Sequence, residues 1–262
     1  MRTELTHAEI ESYRQNGFLR IPDFLDPDEL DHWRQVIDEA VLRRSTRVPG
    51  GDPDDPKSFG ARVFIQRQHL GSDNPDVARL VRDPRLGKLI AQLEGLPAVR
   101  FYHDQALFKD PGSNATSWHL DVPFWSADTA QAVTIWVALD DSTLQNGCLH
   151  FLPGTHRTED FQSTEITPDM GHFFKIRPEC REIEPVAVPL PAGGCTFHNG
   201  LTAHAAGPNM TRTRRRAMTI SFMPEAIRFN GKPDTIAPER LATMQVGQPL
   251  DDPLFYPVIY RG

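Results

Sequence analysis

Residues 100–108, Arg-Phe-Tyr-His-Asp-Gln-Ala-Leu-Phe, decide the fold. They open a series of short β-rich runs at 132–138, 148–152, 184–188, 195–198 and 217–222, separated by turn-forming segments. Successive strands with no long helix between them predict an antiparallel sandwich or jelly roll. Upstream the texture is helical. Thr6-His-Ala-Glu9 is a capping box opening a helix that stops at Asn16-Gly17. Residues 18–22 read as extended. Asp26-Pro27-Asp28-Glu29 then supplies an N-cap, a proline at N1 and a glutamate at N3 for a helix running to about Arg44. Its stripe of Leu30, Trp33, Val36, Ile37, Ala40 and Val41 must face a large body. Spacing predicts a further helix from about Pro75 to Leu93.

Residues 48–57 concentrate Pro, Gly and Asp and read as loop. Residues 157–182 form a polar excursion between strands, long enough to act as a lid or binding loop. The segment after Glu225, rich in Pro, Gly and Asp, reads as a surface wrap. Length admits a single domain: a helical part at 1–98, a jelly-roll core at 99–225 and a C-terminal wrap at 226–262. The class is mainly β with flanking helices.

Apolar residues make up 39%, enough to bury a core. Twenty-eight Lys and Arg against 35 Asp and Glu leave a net charge of −7, without the basic excess that a nucleic-acid binder uses. No apolar run approaches membrane-spanning length, and the first residues lack the apolar region of a secretory signal. Cys148, Cys180 and Cys195 fit neither a disulfide framework nor a CxxC site, so a reducing cytoplasm is expected.

Ser117-Trp-His119-Leu-Asp121 places an imidazole and a carboxylate two residues apart, on one face of an extended strand. That pair can chelate a metal ion. His204, in the turn-rich stretch 198–209, is the best third ligand, and two imidazoles with one carboxylate make the facial triad of non-haem Fe(II) oxygenases. The same donor set also suits Zn(II) in a hydrolase or isomerase on a cupin-like barrel.

Several further motifs accompany the triad. They are Asn16-Gly-Phe-Leu, Phe24-Leu-Asp-Pro-Asp-Glu-Leu, Lys109-Asp-Pro, Trp136-Val-Ala-Leu-Asp140-Asp141, Asn146-Gly-Cys-Leu, Pro153-Gly-Thr-His156, Asn209 and Arg215-Arg-Ala. Together with the triad they resemble the phytanoyl-CoA dioxygenase family of Fe(II)/2-oxoglutarate-dependent oxygenases over most of the chain. The resemblance implies a double-stranded β-helix, or cupin-like jelly roll, holding Fe(II) on His119, Asp121 and His204. It implies 2-oxoglutarate and O2 as cosubstrates, with succinate and CO2 released. It also assigns Arg215, eleven residues past the last ligand, to the distal carboxylate of 2-oxoglutarate, a task suited to the guanidinium fork.

The family often has serine two residues after the last ligand, where this chain has Ala206. Thr134 is the expected substitute, Trp136 the expected pocket wall, and Lys109 and Gln105 the expected polar cosubstrate contacts, with Gln66 a weaker candidate. By analogy Trp125, Phe124, His103, Arg67 and the 157–182 excursion surround the prime substrate. His156 and His198 read as polar-network residues, and Asp140-Asp141 as a strand end. Retention of the carboxylate at 121, which related halogenases lose, favours hydroxylation, although desaturation or cyclisation would use the same intermediate. A compact chain with no basic tract outside residues 212–216 favours a small metabolite or natural product over a CoA ester. A non-catalytic binding protein on the same fold would be expected to lack a triad residue. Nucleic-acid binding through residues 212–216 is the remaining competitor, set against an acidic chain.

Overall fold

The computed structural model describes residues 1–44, 63–158, 160–162 and 166–262. Helix α1 (His7–Asn16) carries the expected capping box, with Thr6 and Glu9 each accepting from the other's backbone, and ends on Gly17 at φ 82°. Strand β1 (Phe18–Ile21) follows, then α2 (Pro27–Arg43), whose N-cap Asp26 accepts from Glu29 N–H. The loop expected at 48–57 lies outside the described residues. After β2 (Ile65–Gln68) come α3 (Pro75–Val81) and α4 (Pro84–Glu94). The single helix expected over this region is therefore two. Pro84 has no N–H for a continuing helix, and Asp83 caps the new one instead.

The remaining strands are β3 (Ala98–Lys109), β4 (Thr116–His119), β5 (Val133–Ala138), β6 (Leu149–Phe151), β7 (Val186–Val188), β8 (Cys195–Asn199), β9 (His204–Ala206), β10 (Arg215–Pro224) and β11 (Val258–Arg261). Short helices α5 (His172–Ile176) and α6 (Pro238–Leu241) interrupt the connections. The large sheet runs β1-β8-β5-β10-β3-β11, with β2 also on β3, and the small sheet runs β4-β9-β6-β7. From β3 to β10 the chain visits large, small, large, small, small, large, small and large sheet in turn. With every pairing antiparallel, this is the jelly-roll winding of a double-stranded β-helix.

Period-two alternation gives the large sheet two different faces. Val133, Ile135 and Val137 of β5, with Met218, Ile220 and Phe222 of β10, pack outward against the helices. Between them Thr134, Trp136, Arg215, Thr219 and Ser221 are buried on the inner side. The C-terminal segment is more than a surface wrap. Ile227, Phe229, Ile236, Leu250 and Tyr256 join a core with Tyr102, Trp118 and Trp125, and β11 extends the large sheet. Its Pro, Gly and Asp content hid apolar anchors spaced too irregularly to show a period. The 157–182 excursion also carries structure: Phe173 of α5 and Cys180 are buried in the same core.

Candidate functional site

His119 ends β4 and His204 begins β9, and the two are register partners across the small sheet. Asp121 does not continue the strand as the sequence suggested. It sits at φ −76°, ψ −55°, where the chain turns into a short 3-10 segment, and its N–H and that of Val122 both donate to the carbonyl of Gly200. A Cβ at Gly200 would come within 2.5 Å of the Val122 side chain, so only glycine allows this approach. The turn, not strand alternation, brings the carboxylate to the two imidazoles.

The donor atoms converge. Nε2 of His119 lies 3.8 Å, and Nε2 of His204 3.7 Å, from Asp121 Oδ1. The Nδ1–H of each ring donates to a backbone carbonyl, His119 to Ser117 at 2.8 Å and His204 to Thr202 at 3.0 Å. Because a carbonyl only accepts, these bonds fix the tautomer and leave both Nε2 lone pairs facing the carboxylate. One ligand atom from each residue lies within 4.8 Å of the others, a set able to hold one metal ion. The other carboxylate oxygen, Oδ2, is occupied. Thr134 Oγ1–H donates to it at 3.0 Å, His198 Nε2–H at 3.3 Å, and Ser221 stands 3.1 Å behind Thr134.

Burial holds His119 down to about 4, with His204 adding to the effect and Asp121 opposing it; His204 is likewise held to about 4 by burial. Both rings are neutral at physiological pH, as metal ligands must be. Burial opposes ionisation of Asp121. His204, His198 and His119 around it outweigh that and hold its carboxyl well below the usual range.

Arg215 and Lys109 face each other across β10 and β3. The Arg215 guanidinium is buried 5.0 Å over the Trp136 ring, and its Nε and Nη1 have no hydrogen-bond partner among the described residues. Burial lowers it to about 10, which leaves it charged. Unpaired donors on a buried cation are costly, and a ligand carboxylate matches their geometry. Lys109, pushed to about 7 by burial and by Arg215, donates to the carbonyls of Val63 at 3.1 Å and Asn114 at 2.6 Å. Gln105 accepts from Gln66 Nε2 at 2.5 Å. Lys109, Gln105, Gln66, Thr134, Trp136, Arg215 and the triad line one cavity of about 170 Å³. Ala206 also lines it and offers no donor there.

The neighbours of Arg215 are used elsewhere. Arg214 pairs with Asp110, while Arg216 pairs with Asp38 and with Asp140 at 2.7 Å, so Asp140 is structural. Asp141 accepts from Ala192 N–H. Of the residues expected around a substrate, Phe124, Trp125 and His103 line the cavity, and the excursion contributes Ile166. Arg67 does not. Its neighbours Gln66 and Gln68 face the cavity, which turns Arg67 to the other face of β2. His156 also stays out, its Nε2 against the Arg14 carbonyl. Sequence reading missed Ser221, Phe64, Gln68 and Asp234. The period-two row Arg215, Ala217, Thr219, Ser221 would have exposed Ser221, whereas nothing periodic marks Asp234.

The sequence profile of the phytanoyl-CoA dioxygenase (PhyH) family matches residues 13–217. Among curated proteins, the chain is 24% identical to a methylphosphonate hydroxylase of Gimesia maris, over 85% of this chain and 82% of that protein. It is 28% identical to the dioxygenase lolE1 of Epichloe uncinata, over 80% and 79% respectively. Among solved structures, the non-haem alpha-ketoglutarate-dependent carbocyclase SnoK from nogalamycin biosynthesis superposes with a TM-score of 0.81 at 24% identity, covering 98% of this chain and 97% of that one.

Proposed function

The chain belongs to the phytanoyl-CoA dioxygenase family, and from that premise we propose that it hydroxylates an unactivated C–H bond of a small metabolite or natural product. It is a non-haem Fe(II)/2-oxoglutarate-dependent dioxygenase. In this proposal His119, Asp121 and His204 bind the iron and Arg215 binds the distal carboxylate of 2-oxoglutarate. One observation carries it: two imidazole lone pairs and one carboxylate oxygen converge in the same cavity as a buried arginine with unpaired donors. A zinc hydrolase or isomerase would leave that arginine without a task, and is not favoured.

Bound Fe(II) and 2-oxoglutarate supply O2 activation coupled to oxidative decarboxylation, giving succinate and CO2. The protein's own contribution is orientation. Thr134 and His198 hold Asp121 Oδ2 so that Oδ1 is presented beside the two Nε2 atoms. Thr134 is thereby a positioning residue for the carboxylate before it is a cosubstrate contact. Trp136 places its ring 5.0 Å from the guanidinium carbon and gives the cation an aromatic neighbour. Lys109, poised near neutrality, adds positive charge at the same end of the cavity when protonated, and Gln105 and Gln66 cross-brace the wall. Phe64, Phe124, Trp125, Leu149 and Ile166 exclude water, which strengthens every charge interaction inside.

The cavity is below the roughly 300–1,000 Å³ common for drug-sized ligands, which supports a small substrate over a CoA ester. Segments 1–98 and 226–262 each supply lining residues, Gln66 and Asp234 among them, which supports one catalytic unit. Among the described residues no helix is long and apolar enough to cross a membrane. Three buried thiols support a reducing cytoplasm, and the ion pairs of Arg214 and Arg216 leave less of the basic run for nucleic acid. The test is 2-oxoglutarate consumption by the Fe(II)-loaded protein. Iron-dependent succinate formation, lost in His119→Ala, is expected; its absence with a competent panel of small metabolites would refute the proposal.

A further inference from the structure

The cavity is electrically two-ended. Lys109 and Arg215 stand at one end of β3, while His103 stands six residues back, on the order of 20 Å along the strand. Next to His103, Trp125 packs at 5.6 Å and Tyr102 at 5.1 Å between ring centres. The Tyr102 hydroxyl accepts from Ser126 N–H at 2.9 Å and donates to Asp234 Oδ2 at 2.7 Å. This fixes a carboxylate that lines the cavity together with Phe124 and Trp125.

Among the described residues no lysine or arginine pairs with Asp234. The nearby Lys232 is turned to Asp128 at 3.2 Å. Burial, with Asp121 adding to it, raises the Asp234 carboxyl to about 6 despite the Tyr102 hydrogen bond. A half-buried carboxylate held by a tyrosine hydroxyl, with no cation beside it, gains from a ligand that supplies one. The described cavity-lining residues at this end offer the carboxylate, aromatic faces and neutral donors or acceptors such as His103 and Gln68, and both lining cations are at the other end.

We propose that Asp234, with the faces of Phe124 and Trp125, is the recognition site for a positively charged nitrogen on the prime substrate, an ammonium or amidinium group. The proposal rests on the dioxygenase reading, and it names the substrate class. A carboxylate hydrogen-bonds such a group while aromatic faces attract it through their quadrupoles. An anionic substrate, such as a phosphonate or a CoA ester, would meet the negative charge of Asp234, which no lining cation at this end offsets.

The test uses the full chain, loaded anaerobically with Fe(II) and 2-oxoglutarate, and calorimetric titration with three probes of similar shape: 2-phenylethylamine, 2-phenylethanol and phenylacetate. The amine is expected to bind at least about tenfold more tightly than the alcohol, and phenylacetate more weakly than either. Asp234→Asn, which keeps an oxygen for Tyr102, should erase the amine preference, and Phe124→Leu should reduce it about threefold. An amine that binds no better than the alcohol overturns the proposal, as does a preference that survives in Asp234→Asn. The visible charge-transfer band of the same samples reports iron and 2-oxoglutarate binding independently. A failure at Asp234 is thus distinguishable from a failure of the dioxygenase reading, and an unchanged band in Asp234→Asn shows that this variant is folded.

Discussion

The half of the cavity built on strands and the half built on irregular backbone are held in opposite ways. On the strand side, His119 and His204 are fixed by register and by their own carbonyl bonds, and Asp121 by Thr134 and His198. On the irregular side, Asp234 sits at φ 41° in a segment rich in Pro and Gly, oriented by the Tyr102 hydroxyl. Strand register fixes the two imidazoles, because a one-residue slip would turn every inner side chain outward, while Asp121 is held by its turn on Gly200. Irregular segments have no such constraint, so the choice of substrate can vary there without disturbing the metal-binding set.

Removing a strand-side ligand should therefore have the largest effect. His119→Ala is expected to lower turnover by about 10³-fold or more and to abolish stoichiometric Fe(II) binding, read by metal analysis after desalting. Next, Arg215→Met should raise the 2-oxoglutarate KM by about 10²–10³-fold with Fe(II) affinity unchanged, since a buried charged partner is lost. Thr134→Val removes a hydrogen bond to Asp121 Oδ2 and should weaken metal binding about 10–100-fold, measured by competition with a chelator. Each of these effects should exceed the effect of Asp234→Asn on metal or 2-oxoglutarate binding; equality would erase the division between the two halves.

Smaller effects concern the frame behind the strand side. A Cβ on Gly17 would lie 2.4 Å from both His156 Nδ1 and Thr202 Oγ1, and Thr202 donates to the Gly17 carbonyl in the loop leading to His204. Gly17→Ala should cost about 1–3 kcal/mol, read as a lower Tm. The pH dependence has a definite sign. Burial, with His69 adding to it, holds His103 near 3, well below its unfolded value, so the unfolded chain binds the extra proton as pH falls through about 6.5. The neutral ring's contribution is present above that value and is lost progressively on acidification. His103→Phe should make Tm fall less steeply between pH 6.5 and 4; an unchanged slope would contradict the burial account.

The legible parts of the sequence were those with a period or a cap. Asp26-Pro27 and Thr6/Glu9 marked helix starts, and β-rich runs at 132–138 and 217–222 marked the two strands that wall the cavity. The triad residues were legible as a donor set, but the turn at Asp121 was not, because it depends on Gly200, seventy-nine positions downstream. Strand β9 hid in a turn-rich stretch, since three residues are too few to show alternation. Arg215 stood out from Arg214 and Arg216 by its spacing of eleven residues from His204, and the structure gives its neighbours carboxylate partners. Asp234 had no local signal, being brought to the cavity by distant packing of Ile227, Phe229 and Ile236.

The central claim is that His119, Asp121 and His204 hold the iron while Arg215 separately anchors the cosubstrate. Anaerobic titration of 2-oxoglutarate into the Fe(II)-loaded wild type and Arg215→Met, followed by the weak visible charge-transfer band, tests it most directly. The account predicts a saturable band in the wild type, and in the variant the same band only at about 10²-fold or higher 2-oxoglutarate with iron content unchanged. Absence of the band in the wild type, or identical titration curves for the two proteins, would contradict it.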